Sequence, residues 1–120
     1  MARYVDGYVM PIPKKNVAAY RRMATKASRV WRDHGALEYR ECSGEDLSPA
    51  FGIPFPKLLK TRARETVVFA WVVFKSRAHR DRVNAAVMSD PRLASMMGEF
   101  EKLFDCKRMV YGGFDVLVEG

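Results

Sequence analysis

A basic stretch with one histidine contains the residue types most suited to chemistry in this sequence. Residues 74–87 read FKSRAHRDRVNAAV, and the segment from Lys75 to Arg82 holds four lysine or arginine side chains together with His79. An imidazole titrates near neutral pH and can act as a general acid or base. Guanidinium groups bind phosphate in a bidentate manner. The stretch therefore suggests acid–base catalysis, phosphate binding or the surface of an ordinary helix.

The spacing of the stretch favours a helix that divides it into two faces. Ser76 is a favourable N-cap, and we predict a helix from there to about Met88. On that helix His79 lies on the same side as Val83 and Val87, facing the interior. The other polar side chains are expected on a solvated face: Arg77, Arg80, Asp81 and Asn84. An inward histidine is either a hydrogen-bonded core residue or a functional one, and His79 is the candidate catalytic group.

Three side chains on predicted strands are candidate catalytic partners of His79. Asp6 and Glu38 are carboxylates within largely apolar segments, and Tyr111 carries a phenol. A carboxylate next to an imidazole shifts the protonation of both groups, as general acid–base chemistry requires. The alternative interpretation is that the two carboxylates pair with neighbouring arginines at a sheet edge or a subunit interface.

The sequence contains no pattern of metal ligands, and we expect neither a metal nor another cofactor. His34 and His79 are far apart and have no carboxylates at ligand spacing around them. Cys42 and Cys106 are single cysteines, as is typical of free thiols in a reducing compartment. The N-terminus lacks a charged segment followed by an apolar one, and the apolar run 67–74 is too short for a membrane-spanning helix. We therefore predict a cytoplasmic protein without a membrane segment.

Hydrophobic spacing and turn residues predict four strands and three helices. The predicted strands are 3–12, 36–43, 66–74 and 107–118, and the predicted helices are 14–34, 76–88 and a short one that begins at Pro91. Gly35 is expected to end the first helix, and Gly98 to end or bend the last. Gly112 and Gly113 indicate a bulge or a close backbone approach in the last strand. Residues 44–65, interrupted by Gly and Pro, are predicted to form a long loop or lid.

This order of elements predicts one α+β domain that spans residues 1–120. Its expected fold class is a ferredoxin-like four-stranded antiparallel sheet with helices on one face. The strand 66–74 is apolar on both faces, as is typical of a strand covered on both sides. Helices on one face leave the other face uncovered, and in so short a chain a second copy is the simplest cover. We therefore expect a homodimer in which the two sheets face each other as a dimeric α/β barrel.

The helix 14–34 carries the strongest concentration of positive charge. The chain has 21 Lys and Arg against 14 Asp and Glu, a net charge of +7, and in this helix Asp33 alone opposes the basic residues. Arg22, Lys26 and Arg29 lie opposite the apolar stripe and form a face suited to a phosphate backbone. The face lacks interleaved aromatic side chains that would stack on bases. Nucleic-acid binding is therefore an alternative function, and a plain solvated helix surface is the other interpretation.

Four blocks of sequence resemble, in order, the YbaA-like family of small bacterial proteins of unknown function. They are YVDGYVMPIPKKN, WRDHGALEYREC, ETVVFAWVVFKSRAHRDRVNAAVMSDPR and FDCKRMVYGGFDVLV, which together cover nearly the whole chain. The resemblance implies a dimeric α/β-barrel fold, similar in shape to the antibiotic-biosynthesis-type monooxygenases. It implies no established activity.

Proteins of the shape that this resemblance implies include cofactor-independent oxygenases and isomerases, and some hold a ligand between the sheet and the helices. In this chain such a space would be bordered by His79 and by four large side chains: Trp31, Trp71, Met96 and Met97. Fold alone does not decide function. We expect a protein that binds a small molecule. If it is an enzyme, the expected type is a cofactor-independent oxygenase or an isomerase. A non-catalytic structural or regulatory dimer is the alternative.

Overall fold

The computed structural model describes residues 2–120, in which four strands form one antiparallel sheet. The strands are β1 (Tyr4–Pro13), β2 (Glu38–Ser43), β3 (Glu65–Phe74) and β4 (Val110–Asp115), and the helices are α1 (Val17–Asp33), α2 (Phe55–Leu59), α3 (Arg77–Met88) and α4 (Pro91–Leu103). The spatial order is β2-β3-β1-β4, so β2 and β4 are the edges. This confirms the predicted ferredoxin-like α+β sheet.

The sheet has an inner face, covered by α1, α3 and α4, and an outer face. Side chains alternate between the two faces along each strand. On β3, Val72 and Phe74 are buried in the core beneath the helices, whereas Phe69 lies on the outer face and is 43% exposed. The inner core is continued from α1 by Ala27 and Val30. β3 therefore carries apolar side chains on both faces because one face is buried within the chain and the other is partly exposed to solvent.

The first helix follows the predicted apolar stripe, with a different start. Lys14–Asn16 form a 3-10 turn, and α1 begins at Val17. Tyr20 and Met23 are among the residues that this helix buries. Gly35 follows with φ 112°, a left-handed conformation that glycine adopts without a side-chain clash. The predicted glycine cap is confirmed.

The predicted Ser76 cap of α3 and the predicted start of α4 at Pro91 are confirmed, but α4 does not end at Gly98. The Ser76 hydroxyl accepts a hydrogen bond from the His79 N–H at 3.1 Å, and the Asp90 carboxylate accepts one from the Arg92 N–H at 2.9 Å. α4 continues through Gly98 to Leu103. A mid-helix glycine costs about 1 kcal/mol relative to alanine. Burial of the apolar face of α4 offsets that cost, so the helix does not end there.

The segment predicted as a long loop contains a short helix that covers part of the outer face. α2 lies within it, and the loop before α2 covers residues 44–54. Leu59 of α2 is buried, and Phe55 packs edge-on against Phe69 of β3 with ring centroids 6.2 Å apart. α2 therefore covers one end of the outer face. A lid function for this segment stays a prediction.

The two glycines of β4 mark a close approach between neighbouring strands. The β1–β4 register is continuous and places Gly112 opposite Gly7 and Gly113 opposite Asp6. A β-carbon on Gly113 would collide with the Tyr4 side chain. Of the two predicted alternatives, a bulge and a close approach, the structure has the close approach.

Candidate functional site

A cavity of about 230 Å³ lies between the inner face of the sheet and helices α1 and α4. Its walls are mainly apolar and aromatic, and they include Met10, Trp31, Val72, Leu93, Phe100 and Met109. Two of the predicted pocket residues, Trp31 and Met97, line it. Cavities with apolar walls and few polar groups are typical of small-molecule sites. This cavity is the candidate functional site.

Glu41 is, among residues 2–120, the one carboxylate that lines the cavity. It accepts hydrogen bonds from the hydroxyls of Tyr39, at 2.6 Å, and of Tyr20. Burial raises the pKa of Glu41 more than these two hydrogen bonds lower it. Burial, with the Glu41 charge next to them, also raises the pKa of both phenols far above the ordinary value, so they remain protonated donors. At the apolar wall of the cavity, the cluster therefore holds a carboxyl group that can take up a proton.

The alternation of β2 explains why Glu41 faces the cavity and Glu38 does not. Tyr39 and Glu41 pair with Val72 and Ala70 of β3, which are inner-face residues. Glu38 has the opposite parity and lies on the outer face. Glu38 was the predicted candidate on this strand, and Glu41 was not singled out. The spacing of Tyr39 and Glu41 was the signal that could have identified the cluster.

Glu38 is part of a small outer-face group with Trp71. Its carboxylate accepts hydrogen bonds from the Arg40 guanidinium at 2.8 Å and from the Trp71 indole at 3.2 Å. The interpretation of Glu38 as an edge pair with an arginine is confirmed. The prediction that Trp71 borders the sheet–helix pocket is wrong, because its position on β3 has the parity of Phe69 and points to the outer face.

Asp6 is buried on the inner face and is bound by two side chains of α3. Its carboxylate accepts hydrogen bonds from the Arg80 guanidinium at 3.0 Å and from the Asn84 amide at 3.2 Å. The Asn84 carbonyl accepts one from the Trp31 indole at 3.1 Å, so this network reaches the wall of the cavity. The Arg80 guanidinium also lies over the Tyr4 ring, 4.9 Å from its centroid. Burial raises the pKa of Asp6 more than Asn84 and Arg80 lower it.

The prediction that Arg80 and Asn84 lie on a solvated face is therefore wrong. Residues 80, 84 and 87 follow one another at four and three positions, so the two polar side chains share a helix face with buried Val87. That face meets β1, where Asp6 supplies a buried partner for the arginine. Asp81, predicted on the same solvated face, is exposed there and lies 2.8 Å from the Arg80 guanidinium.

His79 lies outside the cavity at the start of α3. Its Nδ1 accepts a hydrogen bond from the Lys75 N–H at 3.0 Å, and its ring packs edge-on against Phe74. Burial, then the positive charges of Lys75 and Arg82, lowers the pKa of His79. Within residues 2–120 it forms no hydrogen bond with any of its three predicted partners. The catalytic role of His79 stays a prediction that the geometry of the cavity does not support.

The remaining predicted site residues take different positions around the cavity. Tyr111 stacks on Tyr8, a cavity residue, with ring centroids 5.9 Å apart, and is 70% exposed. Met96 is buried in the core beneath α4 and does not line the cavity, in contrast to the prediction. The helical rotation from residue 96 to 97 turns only Met97 towards the cavity.

The basic residues of α1 lie away from the cavity. Arg22, Lys26 and Arg29 line a groove on the other side of α1 together with Glu99. Of the residues given for this groove, none is aromatic. Nucleic-acid binding by this face stays a prediction.

The described part of the chain, residues 2–120, contains no helix that is both long and apolar enough to cross a membrane. In the same residues no three His, Cys, Asp or Glu side chains come together in an arrangement that could hold a metal ion.

Comparison with known proteins shows the family of the chain. The model of a family described as "Protein of unknown function (DUF1428)" matches residues 3–106. The uncharacterized protein YbaA of Escherichia coli (strain K12) is 39% identical over 117 residues, 98% of each chain. This confirms the resemblance found in the sequence.

Two solved structures share the fold at low identity. SnoaB, a cofactor-independent oxygenase from Streptomyces nogalater, aligns over 99% of this chain and 97% of its own with a TM-score of 0.57 and 12% identity. A dimeric ferredoxin-like protein from an uncultured marine organism aligns over the full length of both chains with a TM-score of 0.55 and 10% identity. At such identities the likeness concerns the fold alone. By its sequence, the chain belongs to the DUF1428 family of proteins of unknown function.

Proposed function

We propose that the cavity binds a small apolar ring compound with an acidic hydroxyl or C–H group, and that Glu41 accepts its proton. The observation that carries this proposal is the Glu41 carboxyl, held by Tyr20 and Tyr39 at the wall of an apolar cavity. An apolar cavity of about 150 Å³ accepts benzene. A cavity of 230 Å³ therefore has room for a larger ring system or a substituted ring.

The chemistry available to Glu41 is proton transfer. Each carboxylate oxygen accepts one phenol hydrogen bond and keeps a second lone pair for the ligand. The raised pKa of Glu41 brings its proton affinity closer to that of weak acids, which favours transfer at neutral pH. The proton moves to the carboxylate and its electron pair stays on the substrate.

Two reaction classes begin with this proton transfer. In isomerisation, Glu41 returns the proton to another atom of the same substrate. In cofactor-independent oxygenation, the substrate anion reacts with dioxygen. Both agree with the expectation of an isomerase or oxygenase type, and SnoaB, which shares the fold, is an oxygenase of this kind. The alternative, a non-catalytic structural or regulatory dimer, predicts no binding that depends on Glu41.

Binding of naphthol, a two-ring compound with an acidic hydroxyl, tests this proposal. We expect naphthol to quench the fluorescence of Trp31 and to bind about tenfold or more weakly to Glu41→Gln, since a hydrogen bond to a charged group is lost. Glu38→Gln, on the opposite face of the same strand, is the matched control and is expected to bind like the wild type. Calorimetry gives the dissociation constants. Absence of naphthol binding, or an equal effect of the two substitutions, would contradict the proposal.

We further infer that two copies of the chain pair through the outer faces of their sheets. Phe69, Val110 and Phe114 are large apolar side chains on this face and are 43%, 56% and 61% exposed. α2 covers one end of the face only. Exposed apolar patches of this kind mark protein interaction sites. One protein of similar fold is dimeric, which supports a second copy as the cover.

Phe69→Asp is expected to convert the dimer into a monomer, because it places a charge at the centre of an apolar interface. Phe114→Asp, on the edge strand β4, is expected to act in the same way without disturbing the centre of the sheet. Ala94→Asp, on the exposed side of α4, is the control and should remain dimeric. Light scattering gives the mass of each variant, and circular dichroism reports folding. A monomeric wild type, or folded Asp variants that remain dimeric, would refute this assembly.

A further inference from the structure

A second concavity borders the acid–base group of the cavity, Glu41, and the two tyrosines that hold it. A groove of about 490 Å³ runs between α1 and the edge strand β2, and Tyr20, Tyr39 and Glu41 line both this groove and the cavity. The cavity walls are predominantly apolar, whereas the groove adds five polar side chains: Arg21, Thr25, Ser28, Cys42 and Ser43. The Glu41 cluster therefore lies where an apolar space meets a polar one.

The groove contains one positively charged side chain that can bind a ligand. Arg21 is the one basic residue among those given for the groove, and within residues 2–120 its guanidinium forms neither an ion pair nor a hydrogen bond. Arg80 and Arg108, in contrast, are paired with Asp6 and Glu65. The Arg21 donors are thus free to bind an anion.

The hydroxyls beside Arg21 are already oriented by the helix backbone. The Thr25 hydroxyl donates to the Arg21 carbonyl and the Ser28 hydroxyl to the Thr25 carbonyl, each at 2.7 Å. These hydroxyls have used their hydrogen atoms, so in this arrangement they can only accept from a ligand. Recognition of an anionic group in the groove therefore rests on Arg21.

We propose that the groove binds an anionic substituent of the ligand whose ring occupies the cavity, with Arg21 as its counter-ion. This inference rests on the proposed function of the cavity. It narrows the substrate class to ring compounds that carry both an acidic hydroxyl or C–H group and a carboxylate or similar anion. The ring of such a ligand occupies the cavity, its acidic group contacts Glu41 and its anionic group pairs with Arg21.

The charge distribution favours this class of ligand. The turn and helix that carry Arg21 hold seven basic residues and one acidic residue, Asp33, so the groove lies in a positive field that attracts anions. Glu41 becomes neutral when it takes the proton of the ligand. Repulsion between Glu41 and a neighbouring carboxylate is thereby removed in the same step that generates the substrate anion.

A pair of probes that differ by one carboxylate tests the role of Arg21. Naphthol and hydroxynaphthoate are titrated by calorimetry against the wild type, Glu41→Gln, Arg21→Gln and Arg22→Gln. Arg22 is the adjacent basic residue and lines the groove on the other side of α1, so it is the matched control. We expect hydroxynaphthoate to bind about threefold more tightly than naphthol, as a guanidinium–carboxylate pair at an exposed arginine allows. Arg21→Gln should remove this difference and leave naphthol binding unchanged, whereas Arg22→Gln should preserve it.

The results separate this inference from the proposed function. In two outcomes naphthol binding depends on Glu41 while the carboxylate of hydroxynaphthoate adds no affinity, or while the two arginine substitutions have equal effects. Either result would contradict the anion site in the groove and leave the proposed function of the cavity unaffected. Hydroxynaphthoate binding that depends on Arg21 but is unaffected by Glu41→Gln would retain an anion site and overturn the role of Glu41. Failure of both probes to bind would overturn both.

Discussion

Replacing Asp6 by alanine is expected to lower the free energy of unfolding by about 3–5 kcal/mol. Asp6 is only 3% exposed, and its carboxylate is the partner of the Arg80 guanidinium and the Asn84 amide. Without it, the largely buried Arg80 guanidinium has no carboxylate at β1 and keeps the exposed Asp81 as its partner. Breaking a buried pair costs much more than the pair contributes over an apolar replacement, because the remaining charge is poorly compensated in the interior. Urea unfolding followed by circular dichroism measures the loss.

Two further variants show whether the loss has this cause. Glu38→Ala breaks an exposed carboxylate–arginine pair on the opposite face and is expected to cost about 0–1 kcal/mol. The double variant Asp6→Leu, Arg80→Met removes both charges and should recover most of the stability lost in Asp6→Ala. If Asp6→Ala cost no more than Glu38→Ala, the network would have no large stabilising role.

The same network connects stability to the shape of the cavity. Asn84 binds Asp6 through its amide nitrogen and the Trp31 indole through its oxygen. Trp31 is therefore fixed at the cavity wall by a chain of hydrogen bonds that begins on β1. A side chain held by packing and hydrogen bonds presents a defined surface to a ligand at little entropic cost on binding. The buried ion pair thus positions part of the candidate site without lining it.

Much of the fold could be predicted because its signals are local. Ser76 at the start of α3, Pro91 at the start of α4 and Gly35 at the end of α1 act within a few residues of their position in the sequence, and each was found where expected. A helix end at Gly98, one of its two predicted alternatives, is wrong because the burial that stabilises α4 beyond this residue comes from contacts with distant elements. Local preference is weak where tertiary packing opposes it.

The site could not be predicted to the same extent because it depends on which elements meet. Periodicity assigns a residue to a face, but the partner of that face follows from topology. Arg80 was assigned to solvent because no sequence signal shows that β1 presents Asp6 to α3. Tyr20 lies on the buried face of α1, and its hydroxyl binds Glu41 because β2 brings that carboxylate to it. His79 was selected for its chemistry alone, and its ring nitrogen is bound by local backbone.

The stability of the wild type is expected to contain a part that falls as pH rises, and Glu41→Gln should abolish it. Burial raises the pKa of Glu41 above its ordinary value of 4.5. Between that value and the raised pKa, the folded chain keeps a proton that the unfolded chain has released. This contribution to stability is therefore fully present below pH 4.5 and is lost as pH rises through the raised pKa, with a slope of at most about 1.4 kcal/mol per pH unit for one proton.

The difference in free energy of unfolding between wild type and Glu41→Gln isolates this proton, since all other titrating groups are shared. We expect urea unfolding at a series of pH values to show the wild type losing stability relative to the variant above pH 4.5. Glu38→Gln should change the pH dependence of stability in the opposite direction. Arg40 and Trp71 lower the pKa of Glu38, so the contribution of Glu38 to stability is present above pH 4.5 and is lost as pH falls. Because Glu38 is far more accessible to water, this second effect should be small. A constant difference for Glu41→Gln would mean that Glu41 holds no proton in the folded chain beyond that of an ordinary carboxyl, and its proposed part in proton transfer would lose its physical basis.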